Sequence, residues 1–111
     1  MDTDTSLERI RSLNDDARRH FTGGRIVFTS GIAALPVDDQ AEILDRVRTF
    51  DAFSPDIDPY GEHDFGAFEY NAQRIFWKID CYDKEDRYGS PDPADPYVTN
   101  RVLTIMLAGE Y

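Results

Sequence analysis

The chain has 111 residues, of which 41% are hydrophobic and 13% aromatic, and this composition indicates one folded domain rather than a disordered chain. A total of 12 basic and 22 acidic residues gives a net charge of −10, which disfavours direct binding to a nucleic-acid backbone. The single cysteine excludes an intrachain disulfide, residues 1–10 lack the apolar core of a signal peptide, and no apolar run reaches the roughly 20 residues that cross a bilayer. We therefore expect a cytoplasmic protein that makes no contact with a membrane.

Residues 4–20 are predicted to form an amphipathic helix. Asp4 or Thr5 can cap its start, and Gly23-Gly24 is expected to end it. Arg18 and its two successors are basic and fall at the negative end of the helix dipole, so they are read as charges that favour this end. The predicted buried face consists of Leu7, Ile10, Leu13, Asn14, Ala17 and Phe21, which recur at steps of three and four.

Two further elements are predicted between residues 25 and 50. Arg25 to Thr29 is rich in β-branched and aromatic residues and is read as the first strand. Ser30-Gly31 is read as a bend or bulge, and Ile32 to Leu35 either extends the strand or packs as a loop. Pro36 to Phe50 is read as the second helix, because proline suits a first-turn position. Its predicted buried stripe is Val37, Ala41, Ile43, Leu44, Val47 and Phe50.

The remaining residues alternate irregular segments with strands. Residues 51–64 and 84–97 are rich in proline, glycine and aspartate and are predicted to be irregular. Phe65 to Tyr70 and Arg74 to Asp83 are predicted to form an antiparallel hairpin, with Ile75, Trp77, Ile79 and Cys81 facing the core. Thr99 to Leu107 has apolar residues on both faces, which favours a central strand; a helix is the competing assignment.

The predicted element order, α-β-α-β-β-β, indicates an α+β fold. We expect a single domain over residues 1–111, with an antiparallel sheet of about four strands and two helices packed on one face. The two irregular segments are expected to lie outside the sheet, close together at one end.

Five stretches of the chain together form a pattern that is similar to a known protein family. They read LND at Leu13–Asp15, DPYGEHDFG at Asp58–Gly66, WKIDCYD at Trp77–Asp83, GSPDPADP at Gly89–Pro96 and RVLTIMLAGEY at Arg101–Tyr111. The pattern resembles the bacterial family called domain of unknown function 3768. The resemblance implies an origin in proteobacteria, often among plasmid or mobile-element genes, and it implies no established reaction or catalytic residue. Cys81 departs from the family pattern, which has an aromatic residue there, and this argues against an essential thiol.

Glu62, His63 and Asp64 are the residues that most suggest chemistry. Carboxylates and an imidazole are metal ligands, and one histidine among carboxylates suits Mn or Mg. In an extended segment, however, Glu62 and Asp64 point to one side and His63 to the other. We favour a structural role in which Asp64 or His63 ties the loop down through hydrogen bonds to backbone amides. No cofactor is therefore expected, and a divalent metal is the alternative, with Asp56, Asp58, Asp80 and Asp83 as possible further ligands.

The alternative function is a metal-binding protein or metal-dependent hydrolase centred on Glu62, His63 and Asp64. A hydrolase that acts through a nucleophile is a further interpretation. His63 would be a general base oriented by Asp80 or Asp83. Its nucleophile would have to be Ser90, Thr99 or Thr104, none of which lies in a recognisable nucleophile elbow. Cys81 is expected to face the core, where a thiol is inert. The sequence therefore favours a protein that is not an enzyme.

The leading hypothesis is an acidic interaction protein. Residues 51–96 contain 12 acidic and 4 basic residues, a net charge of −8, and several aromatic residues. Such a surface favours a basic partner protein, and the mobile-element setting suggests an inhibitor or accessory factor of a nucleic-acid-binding or defence protein. Asp92 and Asp95, in a stiff proline-rich loop, are also expected to cap turns. The predicted partner-binding residues are Asp56, Asp58, Tyr60, Glu62, His63, Asp64, Tyr82, Asp92 and Asp95.

Overall fold

The computed structural model describes residues 3–111, with side chains from residue 6 onward. The described residues form three α-helices, α1 (Thr3–His20), α2 (Ser30–Ala33) and α3 (Val37–Thr49). They also form four β-strands, β1 (Gly24–Phe28), β2 (Phe65–Tyr70), β3 (Gln73–Tyr82) and β4 (Asn100–Leu107). Short 3₁₀ turns at Pro96–Val98 and Ala108–Glu110 flank β4. Within residues 3–111, no helix combines the length and apolar character needed to cross a membrane.

The sheet has the order β1-β4-β3-β2, and its strands are not all antiparallel. β2, β3 and β4 pair antiparallel, but β1 runs parallel to β4, so the predicted antiparallel sheet is corrected to a mixed one. β1 is the edge strand, on the side of β4 opposite β3. The α+β class and the single compact domain are confirmed.

Local signals explain where the elements end. α1 stops at His20 because Phe21 adopts a left-handed backbone conformation, with φ of 59°, followed by Gly23 at 76°. The hairpin turn is Asn71-Ala72, two residues that both have positive φ, rather than the predicted three-residue turn. The predicted caps of α1, Asp4 and Thr5, have side chains outside the described part of the chain.

The segment after β1 was wrongly predicted. Ser30 to Ala33 forms the short helix α2, whereas a bend and a strand extension or loop were expected. The cause is a carboxylate that lies 80 positions away in the sequence: Glu110 accepts hydrogen bonds from the Thr29 hydroxyl and the Gly31 amide. A long-range contact therefore sets the backbone here, and no local pattern reveals it.

The core lies between the helices and one face of the sheet. Trp77, Ile75 and Ile79 of β3 are buried there, as predicted, and they pack with residues of β4 and α3. The competing helix at Thr99–Leu107 is wrong, because these residues form the central strand β4. The buried cluster comprises Ile32, Ile43, Val47, Phe50, Ile75, Trp77, Ile79, Leu103 and Ile105.

Candidate functional site

Arg18 is the buried residue that joins α1 to the end of α3. Its side chain is fully buried, and Nη1 donates to the carbonyl oxygens of Val47, Arg48 and Phe50 at 2.9, 3.1 and 2.9 Å. The Val47 carbonyl also accepts from the amide of Phe50, the residue that follows the last turn of α3. The guanidinium thus adds donors to carbonyls at the end of that helix and caps it. The sequence predicted that Arg18 interacts with the C-terminal end of its own helix, α1. In the structure it interacts with the C-terminal end of α3 instead.

Asp15 connects Arg18 to the loop that precedes β2. Its Oδ1 atom lies 3.0 Å from Arg18 Nη2 and 3.0 Å from His63 Nδ1. The second ring nitrogen of His63 lies 3.8 Å from Asp58 Oδ2. Asp58 is buried, and its other oxygen accepts a hydrogen bond from the His63 amide. Residues Asp15, Arg18, Asp58 and His63 form what we call the loop latch.

The contacts of His63 are those of a residue that holds the loop against its neighbours. Its ring stacks on Phe53 with a centroid distance of 3.8 Å and an interplanar angle of 1°, and both ring nitrogens face carboxylates. A general base or a metal ligand needs a nitrogen directed at substrate or metal. Among the described residues, no group of three or more His, Cys, Asp or Glu side chains is placed to hold a metal ion. Asp58, rather than the predicted Asp64 or His63, accepts the backbone amide that holds the loop.

The turn of α1 from Arg11 to Asn14, which includes part of the LND stretch, supplies further contacts to this loop. Arg11 donates to the carbonyl of Gly61 at 2.6 Å, and Asn14 donates to that of Glu62 at 2.9 Å. The amide oxygen of Asn14 accepts in turn from Nε of Arg101 at 2.8 Å. One turn of α1 thus holds the loop on one side and β4 on the other. The sequence marked LND as part of a pattern but did not reveal these partners.

Glu62 and Asp64 face away from the loop latch and line a cavity of about 230 Å³. The alternation of an extended segment does not explain this separation from His63, because His63 has a left-handed backbone conformation with φ of 55°. The acidic cavity also includes Asp80 and Cys81 of β3 and Pro93 of the second irregular segment, with Ile10, Asn14 and Ile79. The two irregular segments therefore meet at one end of the sheet, as expected, and they do so against α1.

Burial and neighbouring charge perturb these carboxylates. Burial raises the pKa of Glu62, and the negative charges of Asp64 and Asp58 raise it further. Burial likewise raises the pKa of Asp64, against a hydrogen bond from its own backbone amide, and Asp58 and Asp80 add to the rise. Asp80 forms an ion pair with Lys78 at 2.7 Å. Glu62 and Asp64 have no such partner among the described residues, so the cavity carries uncompensated negative charge.

The other predicted partner-binding residues lie in different environments. Asp56 is exposed, and Tyr60 has 77% of its surface exposed. Tyr82 is half-buried and forms an isolated bridge with Gly89.

Asp92 and Asp95 cap turns, as predicted. They accept hydrogen bonds from the amides of Ala94 and Tyr97, respectively. Asp92 is exposed and Asp95 half-buried, so both remain near the surface of the second irregular segment.

The groups proposed for nucleophilic catalysis are used in other ways. Ser90 Oγ and Thr99 Oγ1 are hydrogen-bonded to each other at 2.6 Å, and Thr99 also donates to the carbonyl of Asp92. Burial raises the pKa of the Cys81 thiol, which favours its protonated form. His63 is hydrogen-bonded to none of these residues. The hydrogen bonds of Ser90 and Thr99 therefore do not place either hydroxyl beside His63 as its base.

Comparison with protein families identifies the family of this chain. The model of the family described as "Protein of unknown function (DUF3768)" matches residues 28–110. Because the match covers more than half of the chain, this protein belongs to that family. The matched region contains the loop residues Asp58 and His63, whereas the LND stretch that holds the loop precedes it. No curated protein and no solved structure matches the chain.

Proposed function

We propose that this protein is not an enzyme but an acidic interaction protein, and that the acidic cavity between the two irregular segments receives a basic side chain of a partner protein. The observation that supports this most directly is the pair of half-buried carboxylates Glu62 and Asp64, which line one cavity with no Lys or Arg in its lining. Two partly desolvated carboxylates without a counter-ion are destabilising by themselves. A lysine or arginine from a partner would compensate them.

The surroundings of the cavity suit a protein partner. Tyr60 and Tyr97 are 77% and 86% exposed, and they belong to the two segments that meet at the cavity. Asp56 and Asp92 are exposed on the same two segments. Exposed aromatic residues with charges around them are typical of binding hot spots. Asp58 and His63, by contrast, act in this proposal as supports that hold the first segment in place.

The overall charge determines the kind of partner. A net charge of −10 attracts basic proteins and accelerates their association at low salt. Proteins that bind nucleic acids carry such basic surfaces. In keeping with the mobile-element setting that the family resemblance implies, we propose an inhibitor or accessory factor of a nucleic-acid-binding or defence protein in the bacterial cytoplasm.

Quantitative affinity capture from lysate of the source bacterium tests the proposal. The bait variant Glu62→Gln/Asp64→Asn removes two charges from the cavity. Asp38→Asn/Asp45→Asn removes two exposed charges from α3 and is the matched control. We expect wild type and control to retain the same basic protein, with loss in the cavity variant and at high salt. Equal retention by the cavity variant, or a partner that is not basic, would contradict the proposal.

A metal-dependent activity predicts a different result. It requires Mn, Mg, Zn or Ca to raise the melting temperature, and His63→Ala to abolish that rise while the fold survives. Our proposal involves no cofactor, so we expect the same melting temperature with and without each ion. A rise that depends on His63 would favour the metal alternative.

A further inference from the structure

A second charged cavity, of opposite sign, lies at the beginning of β1 and β4. It centres on Arg101, which has only 3% of its surface exposed. Arg101 donates to the Asn14 amide oxygen and to the Pro93 carbonyl, and it forms no ion pair among the described residues. Burial lowers the pKa of its guanidinium. A buried arginine is normally compensated by a carboxylate, so the missing counter-charge requires an explanation.

Two further cations line the same cavity, which has a volume of about 290 Å³. Arg25 of β1 and Lys84, just after β3, contribute the charges, and the rest of the lining is Gly23, Gly24, Pro96, Thr99 and Asn100. No carboxylate belongs to this lining, although acidic residues outnumber basic ones 22 to 12 in the chain. A basic cavity in so acidic a protein is not explained by composition.

Nearby carboxylates leave most of this charge unbalanced. Asp86 pairs with Arg25 at 3.1 Å and accepts from Asn100 at 3.1 Å. Lys84 donates to the amide oxygen of Asn100 instead of pairing with a carboxylate. Asp16 lines a neighbouring cavity that also reaches Arg101, but it forms no ion pair with it. Three cations and the one paired carboxylate leave a charge of +2, which matches a dianion.

An apolar cavity of about 230 Å³ adjoins the charged one and shares Gly24, Arg25 and Arg101 with it. Its other lining residues are Ala17, Phe21, Ile26 and Leu103. Gly24 allows this arrangement because a Cβ at that position would collide with the backbone carbonyl of Arg101. A ligand that places an anionic group among the cations could therefore extend an apolar group towards Phe21 and Ile26.

We propose that this cavity binds a small phosphomonoester, with its phosphate held by Arg25, Lys84 and Arg101 and a short apolar group beside Phe21 and Ile26. A guanidinium presents several N–H donors in a planar fork that suits phosphate oxygens, and a lysine adds a point charge. The volumes suit a small ligand, since they lie near the lower limit for ligand pockets. This site is separate from the acidic cavity, and the proposal is independent of the protein–partner proposal.

Titration of the whole chain with butyl phosphate, butyrate and inorganic phosphate tests the site, with affinity measured by calorimetry and location by amide chemical shifts. Arg25→Gln/Lys84→Gln removes two exposed cations from the cavity and is expected to fold. Arg19→Gln/Arg48→Gln removes two exposed cations elsewhere and is the control. We expect butyl phosphate to shift the Gly23 and Gly24 amides of wild type and control, and to bind the cavity variant about tenfold more weakly or worse.

The three probes separate the parts of the proposal. Butyl phosphate should bind about tenfold more tightly than inorganic phosphate, because its methylenes leave water. It should also bind more tightly than butyrate, which carries one charge fewer. Binding of none of the probes, equal loss in the control variant, or shifts away from Gly23 and Gly24 would overturn the proposal. Equal affinity for butyrate and butyl phosphate would overturn its assignment to phosphate.

Discussion

Arg18→Ala is expected to destabilise this protein more than any other single exchange of a charged residue in α1. Three carbonyl oxygens surround the Nη1 atom of Arg18, but this atom has two hydrogens, so its contacts amount to about two full hydrogen bonds. Hydrogen bonds from a charged donor contribute about 1.5–3 kcal/mol each. Their loss, with the loss of ring contacts to Phe53 and Trp77, gives an expected cost of about 4 kcal/mol in the free energy of unfolding.

Urea denaturation followed by tryptophan fluorescence measures this cost directly, because Trp77 is the single tryptophan and is buried beside Arg18. Arg19→Ala is the matched control, since Arg19 is the exposed neighbour on the same helix and its loss should change stability by about 0.5 kcal/mol or less. Arg18→Lys should recover only part of the cost, because an ammonium group lacks the planar fork. If Arg18→Ala came within about 1 kcal/mol of the control, capping of α3 by Arg18 would be refuted.

Three further expectations concern the loop and the sheet. His63→Ala should cost about 2 kcal/mol through loss of the Asp15 contact and the ring stack, and should expose residues 51–64 to limited proteolysis. Gly66→Ala should cost about 2 kcal/mol or more in urea denaturation, because a Cβ there collides with the ring of Trp77. Glu62→Gln/Asp64→Asn should be more stable than wild type at pH 7, as measured by melting temperature, and this advantage should shrink as the pH falls.

The sign of the pH effect follows from the direction of the shifts. Folding raises the pKa of Glu62 and Asp64, so the folded state binds their protons more tightly than the unfolded state does. The ionised pair therefore destabilises the fold above the raised pKa values, and protonation removes this penalty as the pH falls through them. A difference between variant and wild type that is constant from pH 7 to pH 4 would contradict this reasoning. If His63→Ala remained as resistant to protease as wild type, the role of His63 in the loop latch would be contradicted. If Gly66→Ala left the midpoint of urea denaturation unchanged, the expected collision with Trp77 would be contradicted.

Periodicity was sufficient to predict most of the fold. The alternation of Ile75, Trp77 and Ile79 predicted the core face of β3, and the β-branched residues of β4 predicted its strand conformation, as observed. The parallel direction of β1 was not predictable, because nothing in Arg25–Thr29 records which strand it meets. The helix at Ser30 was missed for the same reason, since the partner that fixes it is Glu110.

The sequence drew attention to the loop at Asp58–Asp64 but not to the residues that hold it. The stretch from Asp58 to Asp64 does hold contacts that organise one end of the molecule. The alternation of an extended segment does not explain why His63 lies apart from Glu62 and Asp64, because His63 has a left-handed backbone conformation. The partners Asp15 and Arg18 were missed, because a charged residue on a predicted helix is read by default as solvent-exposed. Contacts between residues about 50 positions apart leave no mark in a single sequence.

The position of β4 in the sheet affects how the chain can fold during its synthesis. β4 forms the centre of the sheet and pairs with both β1 and β3, yet it follows the other three strands in the chain. Before β4 is available, β1 has no strand beside it, and the apolar side of the helices has only part of its sheet. Folding is thus expected to wait for β4, and a chain that lacks the residues from Asn100 onward would expose apolar surfaces that chaperones recognise.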